Sequence, residues 1–165
     1  MLKTLICGLG SKLQGDDGLG PYVIEELEKR GAPEGVELAD YGISGFKCAL
    51  YLANYERVIF VDAIDLPGHA PGDIHRLRIP REKLGGLPTL GEIGISMHET
   101  DLPRILATAA ALGTAPSEIV IIGIQPVNTS VRLGLSPKVA QAIPQIIKLI
   151  EAELANFTNQ PTDCN

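Results

Sequence analysis

Three side chains far apart in the chain could share one chemistry. Asp17 lies in the glycine-rich segment Gly8-Leu9-Gly10-Ser11-Lys12-Leu13-Gln14-Gly15-Asp16-Asp17-Gly18-Leu19-Gly20, Asp62 ends the apolar run Val58-Ile59-Phe60-Val61, and His98 stands in Ser96-Met97-His98-Glu99-Thr100. Two carboxylates and an imidazole make a mixed oxygen and nitrogen set that suits a first-row divalent ion with coordination positions left open. Each residue also has an ordinary reading. Asp16 and Asp17 could simply favour the N-terminus of a following helix, where acids help by a few tenths to about 1 kcal/mol. Asp62 could cap a turn, although an acid finishing a buried strand is costly unless paired, bonded or coordinating. A lone loop histidine such as His98 is usually surface. His69, in a Pro-Gly turn, and His75, in an edge strand, differ from it.

Other chemistries fit less well. A dinucleotide fingerprint starting at Gly8 would want a small residue where Leu13 stands, the P-loop spacing is absent, and Asp16 with Asp17 would repel phosphate. No H-E-x-x-H helix or G-x-S-x-G elbow occurs, which weakens zinc-protease and serine-hydrolase readings. Cys7, Cys48 and Cys164 form neither an even set nor a C-x-x-C, so a reducing cytoplasm is expected and Cys7 and Cys48 read as small apolar packing residues. A net charge of −6 argues against nucleic acid or an anionic membrane as a partner. No apolar stretch reaches the roughly 20 residues of a membrane span, and the first ten residues read as a strand, not a signal peptide.

The elements that must position these residues follow from periodicity. Strands are expected at Leu2 to Cys7, Gly35 to Ala39, Arg57 to Asp62, Gly72 to Ile79 and Ile119 to Gly123; helices at Pro21 to Arg30, Gly45 to Asn54, Asp101 to Leu112 with Thr100 as cap, and Pro137 to Ala155. The strand from Gly72 follows too short a connection for a crossover helix, so it should run antiparallel at the edge region. The segment from Pro80 to Ser96, rich in Gly and Pro, reads as a long functional loop. This order implies an α/β fold, a three-layer α/β/α sandwich on a five-stranded, mostly parallel sheet, with sites beyond the carboxyl ends of the strands. With 165 residues and 45% apolar composition, one domain over residues 1–156 is expected, followed by a flexible tail over 157–165.

Taken jointly, four blocks resemble the hydrogenase maturation endopeptidase family: Gly8-Leu9-Gly10 with Gly15-Asp16-Asp17-Gly18-Leu19-Gly20, Asp40-Tyr41-Gly42-Ile43-Ser44-Gly45, Val61-Asp62-Ala63 and Met97-His98-Glu99. Gly123-Ile124-Gln125-Pro126 and Leu135-Ser136-Pro137 agree in order and spacing. Ser11 departs from the family's frequent Asn, and Asp17 stands where either Glu or Asp is found.

The resemblance implies an endopeptidase that removes the C-terminal extension of a nickel-iron hydrogenase large-subunit precursor. Asp17, Asp62 and His98 would be both its catalytic residues and its ligands to nickel carried by the substrate, with no permanent cofactor. Asp40, Gly42 and Gly45 would contribute to choosing the substrate. The attacking group stays open among metal polarisation of the carbonyl, metal-bound hydroxide and a carboxylate base. The expected protein is cytoplasmic and monomeric. A nonenzymatic metal-binding chaperone would bind the nickel-loaded precursor without shortening it, and a nucleotide-binding domain would be stabilised by ATP or NAD.

Overall fold

Six consecutive buried residues, Thr4–Leu9, form β1, an interior strand of the one sheet among the described residues. The computed structural model describes residues 3–84 and 102–158. A strand buried on both faces must present apolar groups to both, and β1 divides them by alternation. Leu5, Cys7 and Leu9 enter one core cluster and Ile6 the other.

The chain then runs through α1 (Leu19–Arg30), β2 (Val36–Gly42), α2 (Gly45–Tyr51), β3 (Arg57–Ala63), β4 (Ile74–Pro80), α3 (Leu102–Leu112), β5 (Glu118–Ile124) and α4 (Pro137–Thr158). Helices α2 and α3 pack Cys48, Ala49, Ile105 and Leu106 on one face of the sheet. Helices α1 and α4 pack Val23, Ile24, Ile146 and Ile147 on the other, which completes the expected three layers.

Strand order is β2-β1-β3-β5-β4, parallel throughout except for β4 against β5. The antiparallel strand expected from its short connection is therefore the sheet's edge. Its exposed face is charged: Arg76 and Arg78 both reach Glu153 on α4, the second at 2.9 Å. That covers the edge and ties it to the closing helix.

Helix α1 carries the chain from β1 to β2 on one face, and α2 returns it across β1 to β3 on the other. Strand β1 is thus where the winding reverses. In open parallel sheets this arrangement leaves a crevice beyond the carboxyl ends of the two strands flanking the reversal, here β1 and β3.

Boundaries moved in instructive ways. The helix expected to run from Gly45 to Asn54 ends at Tyr51 and tightens into a 3-10 turn over Leu52–Asn54. The closing helix passes Ala155 and continues to Thr158. Asp16 and Asp17 are not in the first turn of α1: they occupy a separate 3-10 turn, Gly15–Gly18, ahead of it. The expected cap Thr100 and most of the Pro80 to Ser96 loop lie outside the described residues.

Candidate functional site

Two glycines let the glycine-rich segment fold back over the end of β1. Gly10 has φ of 108°, and a Cβ there would come within 1.9 Å of the Asp17 carbonyl oxygen and 3.3 Å of its side-chain carboxyl carbon. A Cβ on Gly20 would lie 2.3 Å from the Leu9 oxygen and 2.6 Å from the Val61 oxygen. The start of α1 is consequently seated across the ends of β1 and β3, and the Gly15–Gly18 turn packs on β3.

This seating brings two of the three predicted residues to the crevice. Asp17 is half-buried, and its carboxylate accepts a 2.9 Å hydrogen bond from the Ser11 amide. Asp62 follows Val61 at the end of β3 and is 3% exposed. Because Val58 and Phe60 belong to the cluster beneath α2 and α3, alternation directs Asp62 to that same side. Below it, Cys7 and Cys48 lie with sulfurs 3.7 Å apart in the core. Burial pushes the Cys7 thiol well up, reinforced by Cys48 and then by the negative charges of Asp62 and Asp40. Such a thiol is a packing group, as its sequence context suggested.

His98, the third predicted residue, lies outside the described residues. Among the described residues no group of three or more His, Cys, Asp or Glu side chains is gathered as a metal site.

The second loop meets the same rim. Asp40 accepts a 2.8 Å hydrogen bond from the Gly42 amide, closing a tight turn, and the Gly42 carbonyl accepts one at 3.0 Å from Gly10. Gly45 lets α2 approach α3, since a Cβ there would meet the Ile105 side chain at 3.0 Å.

Asp16 has a different occupation from its neighbour. It is completely buried, and its carboxylate accepts hydrogen bonds from the amides of Val127 (2.8 Å), Asn128 (2.9 Å) and Ser136 (2.6 Å). Burial alone would raise its pKa, but the three donors outweigh it and hold the carboxyl below the ordinary aspartate range. Asp16 is therefore a knot between the loops after β1 and β5. The Asp16-Asp17 doublet alone could not distinguish its members.

Gln125 is a second residue whose role the sequence left unassigned. Its carbonyl oxygen accepts from the Leu66 amide at 2.9 Å and lies 3.2 Å from His75 Nε2, while its amide donates to Asp65. It anchors the chain leaving Asp62 to strands β4 and β5. The signal was available: like Asp62, it is a polar residue at the end of a buried apolar run, here directly after β5.

Together the fold and the rim define a class: a three-layer α/β/α domain with acidic residues at the crevice of a sheet reversal. The sequence profile of the HycI hydrogenase maturation protease family matches residues 21–153. The HupD hydrogenase expression/formation protein of Bradyrhizobium diazoefficiens is 34% identical, covering 94% of this chain and 79% of its own. The hydrogenase 2 maturation protease of Escherichia coli is 29% identical over 93% of this chain and 91% of its own. Among solved structures, the E. coli hydrogenase maturating endopeptidase HybD superposes with a TM-score of 0.80 at 29% identity, covering 94% of this chain and 93% of that one. The chain belongs to the hydrogenase maturation protease family and is a maturation endopeptidase.

Proposed function

We propose that this endopeptidase removes the C-terminal extension of a nickel-iron hydrogenase large-subunit precursor after nickel has been inserted, and that it recognises the nickel already seated in that substrate. Asp17 and Asp62 supply carboxylate ligands and His98 an imidazole, leaving the ion room for ligands from the partner. Cleavage then depends on loading, because the shared ion orients the scissile bond against the rim. The observation that carries this reading is the placement of Asp17 and Asp62 at the crevice between β1 and β3, where the Gly10 and Gly20 contacts bring the start of α1 over both strand ends.

What the chain itself contributes is positioning. The Ser11 amide fixes the Asp17 carboxylate, and burial of Asp62 at a strand end restricts its direction. Asp40, Gly42 and Gly45, on the neighbouring loop, are assigned to substrate choice. A cytoplasmic setting fits an enzyme acting on a precursor before assembly. Among the described residues no helix is long and apolar enough to cross a membrane.

The test is incubation of purified enzyme with precursor, nickel-loaded or nickel-free, followed by mass spectrometry of the released peptide. A shortened product from the loaded precursor alone is the expected result. Equal cleavage of both forms would remove the nickel checkpoint, and no cleavage of either would remove the substrate assignment.

A further inference from the structure

Apolar side chains are unusually exposed on the loops that Asp16 knots together. Leu13, after β1, is 63% exposed; Val131 and Leu133, after β5, are 87% and 73% exposed. They are held side by side. The Arg132 amide donates to the Leu13 carbonyl at 3.0 Å and the Gly15 amide to the Arg132 carbonyl at 2.9 Å, a one-residue parallel bridge between Gln14 and Arg132. Three residues from the bridge on one loop and four on the other, Asp17 and Asn128 are themselves fixed by hydrogen bonds. Ridge and site are thus parts of one hydrogen-bonded loop assembly, within reach of a single protein partner.

We infer that Leu13, Val131 and Leu133 form a docking ridge for an apolar segment of the protein substrate that carries a carboxylate beside it. This rests on the maturation reading above. Isolated exposed apolar residues are ordinary, but three bracketed on a rigid bridge at the rim of a site are the mark of a contact surface. Arg132 stands between Val131 and Leu133, is exposed, and makes no ion pair among the described residues, which selects an acidic neighbour for the apolar segment. The ridge is too small to hold a second copy of the chain, since a stable interface takes about 800 Å² from each partner. It must act alongside another contact with the same partner, and the neighbouring site provides one.

The experiment compares the unaltered enzyme with a Leu13→Ser, Val131→Ser, Leu133→Ser variant and with Arg132→Glu, using nickel-loaded precursor. Steady-state cleavage is followed by mass spectrometry, thermal melting checks the fold, and sedimentation velocity gives the oligomeric state. The triple variant should melt like the parent and raise KM roughly tenfold or more with kcat retained; tenfold is about 1.4 kcal/mol, less than the burial of one leucine. Arg132→Glu should also raise KM and reverse its salt dependence. Unchanged KM in a folded triple variant overturns the ridge while leaving the function intact. A parent dimer that the triple variant dissociates assigns the ridge to a second copy and overturns the inference too. If the parent does not cleave the precursor, it is the underlying reading that fails.

Discussion

Replacing Asp16 by alanine tests whether the site is held from beneath. The Asp16 carboxylate is fully buried and receives three amide donors, of which Ser136 is itself buried whereas Val127 and Asn128 belong to exposed residues. A buried donor stranded without its charged acceptor costs about 2–3 kcal/mol, and donors that water can reach cost about 0.5–1 kcal/mol each. The sum is about 3–5 kcal/mol, a large part of the roughly 5–15 kcal/mol that holds a typical domain together. At about 2–4 °C per kcal/mol for a chain of this size, melting should fall by about 6–20 °C.

Asp16→Asn should recover only part of this. One carboxamide oxygen can accept the Val127 and Asn128 amides, but its nitrogen then faces the Ser136 amide, donor against donor. The acid limb of stability gives an independent reading. The carboxyl is held below its ordinary value of 3.8 in the folded state, so its contribution is full above that value and disappears as pH falls through the lower folded one. Asp16→Asn should flatten that limb. Urea unfolding at neutral pH measures the first effect and thermal melts across the acid range the second. An alanine variant that loses less than about 1 kcal/mol would refute the knot.

Other substitutions address the remaining parts. Asp17→Asn, Asp62→Asn and His98→Ala should each stop cleavage of the nickel-loaded precursor while leaving the far-UV circular dichroism of the parent; normal cleavage by all three would remove the proposed site. Gly20→Ala should destabilise by at least about 3 kcal/mol in urea unfolding, because its Cβ would meet backbone atoms of Leu9 and Val61 that no rotamer change can move aside. In a Cys164→Ser background, Cys7 and Cys48 should resist a disulfide reagent in the native protein at pH 8 and titrate fully on denaturation, since both are buried and the Cys7 thiol is pushed up. Rapid native labelling would contradict that packing role.

What was readable in advance was what depends on period and punctuation. The unbroken apolar runs of β1, β3 and β5 announced a doubly covered parallel sheet, and the short connection before β4 fixed its antiparallel sense. Asp62 could be placed because it falls near the end of a strand whose direction was already set, and Asp17 because it lies on the connection leaving another. Contacts between distant loops left no such period. Nothing local to Asp16 says that its partners are residues 127, 128 and 136, and nothing local to Leu13 says that Arg132 lies beside it.

The two adjacent aspartates therefore divide along a physical line. A buried carboxylate surrounded by three backbone donors has its accepting capacity engaged and its charge compensated, so it serves architecture. Its neighbour Asp17 is half-buried, with its carboxylate held by the Ser11 amide beyond the end of β1, and is the one we assign to the incoming ion. The first arrangement makes the second usable: with the loops after β1 and β5 tied through Asp16, the turn bearing Asp17 resists displacement when a large protein partner docks. Loss of Asp16 should accordingly reduce cleavage at temperatures where the fold still persists, an effect that separates held geometry from mere survival of the domain.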